Sequence, residues 1–222
     1  MKKILIIFIL GVIALTTKAQ SYDQEIDFGI RLKYGYTIYS NYKPGSLPTG
    51  YNISNNGYGV GLFLQFRVNR FYFQPELNFT SASSSITAPS DDPNIDSQKL
   101  DLDFTSVAVP LLIGYRPSFG ETSLRFGAGV IFNFLLNTNG ELINTPGGSS
   151  PVPDENLKAF NSITLGARFN IGVDIGPILI DVAYQSSFTR LGETFAILGG
   201  PDLGKENSWI FGVGYKIFRN RL

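Results

Sequence analysis

The chain has 222 residues, 18 basic and 18 acidic side chains, 24 glycines, 18 phenylalanines and 11 tyrosines, but no cysteine and no histidine. The absence of cysteine and histidine excludes disulfides, a lipid-modified N-terminal cysteine, thiol catalysis, imidazole general bases and most transition-metal sites. The balanced net charge does not indicate a nucleic-acid-binding protein, which typically has a clustered basic surface. The high glycine and aromatic content favours strands and turns.

The N-terminus has the pattern of an export signal. It begins with two lysines, continues with an apolar stretch over residues 4–15 and offers a cleavage site after Ala19. That stretch is too short for a transmembrane helix, which needs about 20 residues. We predict a signal peptide over residues 1–19 and one domain over residues 20–222, mildly acidic because the signal contains three lysines and no acid.

Alternation of apolar with polar or small residues recurs eight times and predicts eight strands of about ten residues each. In the first run the apolar side chains between Phe28 and Ile38 occupy the even positions, while Arg31 and Lys33 occupy odd ones. The eight runs cover residues 28–38, 58–68, 71–79, 107–115, 124–134, 163–173, 178–184 and 209–217.

The connections between these runs alternate between long and short. The long ones are predicted as loops over residues 40–56, 81–100, 137–159 and 189–207, and the short ones lie at 69–70, 116–121 and 174–176. Outer-membrane barrels have short periplasmic turns, longer external loops and an even strand number, which puts both termini in the periplasm. The pattern predicts an all-β fold: an eight-stranded, antiparallel, up-and-down transmembrane β-barrel with periplasmic N- and C-termini.

Side-chain volume indicates which face of the strands points outward. The apolar parity carries Phe, Tyr, Leu, Ile and Trp, whereas the other parity carries many Gly, Ala, Ser and Thr. An eight-stranded ring has an interior just wide enough for side chains, so the bulky set would overfill it. We expect that set to face lipid in the outer membrane, with aromatic girdles at both strand ends. A soluble barrel turned the other way is the alternative.

Two segments resemble a known family. Residues 107–115, Val-Ala-Val-Pro-Leu-Leu-Ile-Gly-Tyr, and the glycine-rich residues 126–130 resemble strands of the PorT-like outer-membrane β-barrel proteins of the Bacteroidetes. The resemblance implies an eight-stranded barrel and, through the member that gives the family its name, a link to protein secretion. The chain departs from the common ending of such barrels, because Phe218 lies off the outward parity and four residues follow it.

Charged residues on the inward parity form the one candidate site. They are Arg31, Lys33, Arg67, Glu76, Arg125, Arg168, Asp181 and Lys216. Charges in a narrow, partly dry lumen need partners or water, so Glu76 and Asp181 are expected to pair with some of the six cations in a polar plug. Six cations facing two acids also fit an anion-preferring passage or an anion site.

No catalytic, cofactor-binding or metal-binding residue is predicted. The acids between Asp91 and Asp103 do not have the spacing of an EF-hand loop. Without histidine the usual serine-plus-base arrangement cannot be built, so the chain is not expected to be an enzyme.

The sequence therefore predicts a non-enzymatic integral outer-membrane barrel with a structural or interaction role through its external loops, and the family resemblance implies a link to envelope secretion. The alternative is a narrow anion-preferring pore or small-ligand carrier. Expected partners are outer-membrane lipid and lipopolysaccharide, the barrel-insertion machinery during biogenesis and other envelope proteins. Neither a nucleic-acid partner nor a cofactor is expected.

Overall fold

The computed structural model describes residues 23–39, 52–89, 96–145, 147–153, 162–190 and 205–221. The predicted signal peptide, residues 1–19, lies outside these ranges. Among the described residues, no helix is both long and apolar enough to cross a membrane.

The described residues form eight long strands and two short ones. The long strands are β1 (Gln24–Tyr39), β2 (Asn52–Val68), β3 (Phe71–Pro89), β4 (Ser97–Tyr115), β6 (Thr122–Thr145), β8 (Ile163–Ile175), β9 (Ile178–Arg190) and β10 (Lys205–Arg221). The short strands are β5 (Ser118–Phe119) and β7 (Ser149–Pro151).

The eight long strands close into a ring. Each pairs antiparallel with the long strands before and after it in the chain, and β10 returns to pair with β1 along its whole length. Closure gives every strand two neighbours, so the ring has no open edge. The predicted antiparallel all-β ring of eight strands is confirmed.

The strands are longer than the sequence suggested. They span 13 to 24 residues rather than about ten. Parts of the predicted loops 40–56, 81–100, 137–159 and 189–207 are therefore strand, most clearly at the ends of β3, β4 and β6. These ends are rich in Ser, Thr, Asn and Asp, which turns also favour, so composition concealed the pairing.

Exposure follows the predicted alternation. On β10, Trp209, Val213 and Tyr215 are exposed, whereas Gly214 and Lys216 are buried. The outward side chains form an apolar band around the ring. Exposed aromatic residues border this band at both ends, with Tyr58, Phe79 and Trp209 toward the long-loop end and Phe66, Phe71 and Tyr215 toward the short-turn end.

Glycine makes room for large side chains inside the ring. A Cβ atom on Gly29 would lie 2.6 Å from the Phe63 ring, and one on Gly114 would lie 2.4 Å from the Tyr72 ring. Both aromatic rings are buried inside. Glycine on the inward parity is therefore a packing requirement of the narrow interior.

A bulge near the end of β10 corrects the expectation for Phe218. The pairing shifts between Phe28↔Phe218 and Gly29↔Lys216, so β10 carries one extra residue there. Ile217 and Phe218 are both exposed, at 58% and 53%. The bulge thus returns Phe218 to the outward face, which alternation alone could not show.

Beyond the apolar band, one side of the ring continues as a sheet. This extension sheet comprises residues 52–58 of β2, 81–89 of β3, 97–105 of β4, 137–145 of β6, and β7. It has an apolar core of buried side chains, namely Ile86, Leu100, Leu102, Phe104 and Val152. Its other face is polar and ordered by Ser83–Asp103 and Ser85–Asp101 hydrogen bonds of 2.6 Å each and a Lys99–Asp101 ion pair of 2.7 Å.

A lysine in the apolar band should destabilise the fold in a bilayer. Val213 is 55% exposed and lies between Leu32 of β1 and Ile180 of β9. We expect Val213→Lys to lower the free energy of unfolding in phospholipid vesicles by about 2–4 kcal/mol, because its ammonium would lie in hydrocarbon.

Denaturant titration of the reconstituted protein measures this difference. Asn220→Lys, at an exposed polar position on the same strand, is the control and should cost less than about 0.5 kcal/mol. Equal costs for the two variants would mean that the band does not face lipid.

Candidate functional site

The lumen, the space enclosed by the ring, holds the charged side chains that the sequence singled out. The structure brings all eight together: Arg31 and Lys33 from β1, Arg67 from β2, Glu76 from β3, Arg125 from β6, Arg168 from β8, Asp181 from β9 and Lys216 from β10. Their side chains are at most 8% exposed. Charged side chains on the inward faces of different strands therefore meet inside the lumen.

Five further charged residues of this cluster were missed by sequence reasoning. They are Glu25, Asp27, Arg116, Asp174 and Arg219, and each lies just beyond the end of an apolar run. Glu25, Asp27 and Asp174 continue the inward parity of their strands, so extending the alternation would have found them. Asp174 was placed in a turn, but β8 continues through Ile175.

Glu76 is the central acid of the part of the cluster that lies nearer the long-loop end. Its Oε1 accepts hydrogen bonds from Arg31 Nη1 at 2.5 Å and Gln74 Nε2 at 2.6 Å. Its Oε2 accepts from Lys33 Nζ at 2.6 Å and Asn78 Nδ2 at 3.3 Å. Four donors fill the acceptor capacity of this carboxylate.

A chain of ion pairs crosses the lumen from Arg31. Arg31 Nε lies 3.5 Å from Asp181 Oδ2, and Arg125 Nη2 lies 3.3 Å from the same oxygen. Arg125 Nε then contacts Asp174 Oδ1 at 2.6 Å. These contacts join β1 to β9, β6 and β8, including strands that share no backbone pairing.

Asp174 and Asp27 share two cations in the part of the cluster that lies nearer the short-turn end. Lys216 Nζ lies 2.9 Å from each carboxylate. Arg116 contacts Asp174 at 3.1 Å and Asp27 at 3.3 Å. Both acids are 1% exposed, so these pairs are shielded from water.

At the short-turn end of the lumen, Glu25 is the last acid in this series of ion pairs. It pairs with Arg67, and Arg219 Nε lies 2.8 Å from it. We call the whole set the charged network; its members are Glu25, Asp27, Arg31, Lys33, Arg67, Glu76, Arg116, Arg125, Asp174, Asp181, Lys216 and Arg219.

The charge balance differs from the one expected from sequence. In the described part of the chain, five acids and seven cations are buried in the lumen, with Arg168 counted and the partly exposed Arg219 left out, whereas the sequence predicted two acids and six cations. The apparent excess of four positive charges falls to two. Breaking one buried pair leaves an uncompensated charge, so the network holds strands together and fills this half of the lumen.

A cavity of about 130 Å³ occupies the long-loop half of the lumen. Its walls carry amide and hydroxyl side chains, including Thr37, Asn55, Asn78, Asn133, Thr164, Gln185 and Ser208. Lys33 and Arg168 line it where it meets the charged network, and Glu206 is the one acid among its described lining residues. Within the described ranges, no group of three potential ligand side chains is placed to hold a metal ion.

Comparison with known proteins gives one family match. A model of an outer membrane protein β-barrel domain matches residues 18–192. No curated protein sequence matches the chain.

Solved structures similar to the chain include Ail, the attachment invasion locus protein of Yersinia pestis, at 13% identity and a TM-score of 0.40, covering 89% of this chain and 99% of that one. The outer membrane enzyme PagL has 11% identity and a TM-score of 0.44, covering 84% and 99%. Neisserial surface protein A has 13% identity and a TM-score of 0.40, covering 86% and 97%. At these scores the likeness carries no argument about function.

Removing one acid of the charged network should be costly. Asp174→Asn takes away the carboxylate that Arg125, Lys216 and Arg116 share. We expect a loss of about 3–5 kcal/mol in the free energy of unfolding, because the remaining cations stay buried without full compensation.

Urea titration of the refolded protein in detergent measures this loss. Asp103→Asn is the matched control, since Asp103 is exposed and has one hydrogen bond from Ser83. It should change stability by about 0.5 kcal/mol or less. A similar small effect for Asp174→Asn would show that the network does not hold the ring together.

Proposed function

We propose a function for this chain, which belongs to the outer membrane protein β-barrel domain family; the family model covers most of its length. The ring of eight strands is an outer-membrane β-barrel. We propose that it is a non-enzymatic barrel that acts through its external loops and extension sheet, in contact with other envelope components. In this proposal the signal peptide is removed on export, and the termini and short turns lie in the periplasm.

The extension sheet is the observation that carries this proposal. A membrane anchor needs only the apolar band, yet four of the long strands continue beyond it, and Leu100 and Leu102 of β4 are completely buried there. Its polar face is held in a fixed arrangement by the Lys99–Asp101 and Ser83–Asp103 contacts. A rigid polar face outside the membrane suits recognition, because it loses little conformational entropy on binding.

The charged network supports a role outside the lumen. Its ion pairs occupy the short-turn half, and the side chains of Arg125 and Asp181 are fully buried there. A narrow anion-preferring pore, the alternative from sequence, needs a continuous wet path that such packing opposes. The cavity is the feature that favours a small-ligand carrier as the second candidate function.

The non-enzymatic assignment rests on the chemistry of the side chains. The chain contains no histidine and no cysteine. Each buried acid of the network contacts at least one cation, which opposes its use as a general base. The proposed partners are outer-membrane lipid and lipopolysaccharide, the insertion machinery and other envelope proteins. The resemblance to PorT-like proteins makes secretion the first process to examine.

Reversing a charge on the extension sheet tests the proposal. Asp103 is exposed on the polar face, and Asp103→Lys should leave the barrel folded, since surface substitutions change stability by about 0.5 kcal/mol or less. In a strain lacking the protein, we expect this variant to fail to restore detergent resistance and the profile of secreted proteins.

Glu121→Lys, the same reversal at an exposed position of the short-turn end, is the control and should restore both. Heat-dependent migration of each variant in outer-membrane fractions checks its folding. Full restoration by Asp103→Lys, or a deletion strain unchanged in both readouts, would contradict a role through the extension sheet.

A further inference from the structure

Arg168 differs from the other cations of the lumen. It is 2% exposed, and no carboxylate of the described residues lies within ion-pair distance of its guanidinium. Its Nε and Nη2 atoms have no hydrogen-bond acceptor there. Other lumen arginines also have an unbonded nitrogen, yet each contacts at least one acid.

Glu76, the acid that pairs with the neighbouring Lys33, is already saturated. Arg168 and Lys33 line the same cavity, and Lys33 Nζ lies 2.6 Å from Glu76 Oε2. The two oxygens of Glu76 accept from Arg31, Gln74, Lys33 and Asn78. Glu76 therefore has no further acceptor site for Arg168.

Burial of an unpaired guanidinium is costly, because the ion loses its hydration without gaining a counter-charge. An apolar or amide side chain would fill this position on β8 at lower cost. A cation in such a place is explained when an anion from outside the chain supplies the missing charge.

The cavity beside Arg168 has the size and lining for such an anion. Its volume of about 130 Å³ admits several water molecules or one small ligand. Asn133, Thr164 and Gln185 line it and offer amide and hydroxyl groups for the remaining hydrogen bonds of a ligand. Glu206 also lines the cavity, but it lies near the long-loop end of β10, where its backbone is opposite Tyr39 of β1. Its carboxylate accepts a hydrogen bond from the Ser208 hydroxyl.

We propose that this cavity binds a small oxyanion, a phosphate or carboxylate group, through the guanidinium of Arg168 with the Lys33 ammonium beside it. A guanidinium presents a planar fork of N–H donors that matches the oxygens of both groups. Lys33 already pairs with Glu76 and contributes positive potential rather than the main contact. This site does not depend on the proposed role of the extension sheet.

Isothermal titration of the full-length chain, purified from outer membranes in detergent, tests the site with sodium phosphate and sodium acetate as separate probes. We expect binding of at least one, and the responding probe identifies the group. Arg168→Gln should weaken that binding at least tenfold. Arg70→Gln, at an exposed turn position, is the matched control and should bind as the unmodified chain does.

The stability of Arg168→Gln separates a binding residue from a structural one. Because Arg168 has no ion pair to lose, its replacement should leave the denaturation midpoint unchanged or higher. Arg168→Lys, which keeps the charge but loses the fork, should bind with reduced affinity and serves if the glutamine variant does not fold.

No binding by the unmodified chain, or equal binding by Arg168→Gln, would overturn the proposal. If Arg168→Gln does not fold, equal binding by Arg168→Lys overturns it. A loss of stability as large as that of Asp174→Asn would also do so, since it would show that Arg168 serves the fold. Failure of the Asp103→Lys experiment would leave these outcomes unaffected.

Discussion

Closure of the strand ring is the constraint on which the rest of the molecule depends. In a bilayer no water is available to backbone N–H and C=O groups, so each strand must find both partners within the chain. Pairing of β10 with β1 closes the circle. Because eight strands enclose a narrow space, closure also decides that bulky apolar side chains face lipid and that Gly29 and Gly114 leave room for aromatic rings inside.

The same narrow space explains why the interior charges form one connected network. Desolvation of an isolated charge would be prohibitive, so acids and cations from different strands meet across the lumen, as Arg125 does with Asp174 and Asp181. Such contacts link strands that are not neighbours in the ring. Arg168 is outside this pattern of pairing, and for that reason we assign it to ligand binding rather than to stability.

Much of this architecture could be predicted from the sequence, because alternation with a period of two is a direct imprint of a sheet with one face in lipid. The eight predicted inward charges do lie in the lumen. Glu25, Asp27 and Asp174 lie just beyond the apolar runs, where the alternation continues for only one or two residues before the strand ends, and the bulge that turns Arg219 inward depends on pairing with β1. The extension sheet has the polar composition of loops, so only its pairing reveals it.

Single-channel recording in planar lipid bilayers tests most directly the claim that the charged network seals the lumen. We expect the purified full-length barrel to insert without producing stable conductance steps, because paired side chains from seven of the eight long strands, together with Arg116 after β4, occupy the short-turn half. Steady conductance steps with selectivity for anions or for cations would require a continuous aqueous path and would contradict that claim.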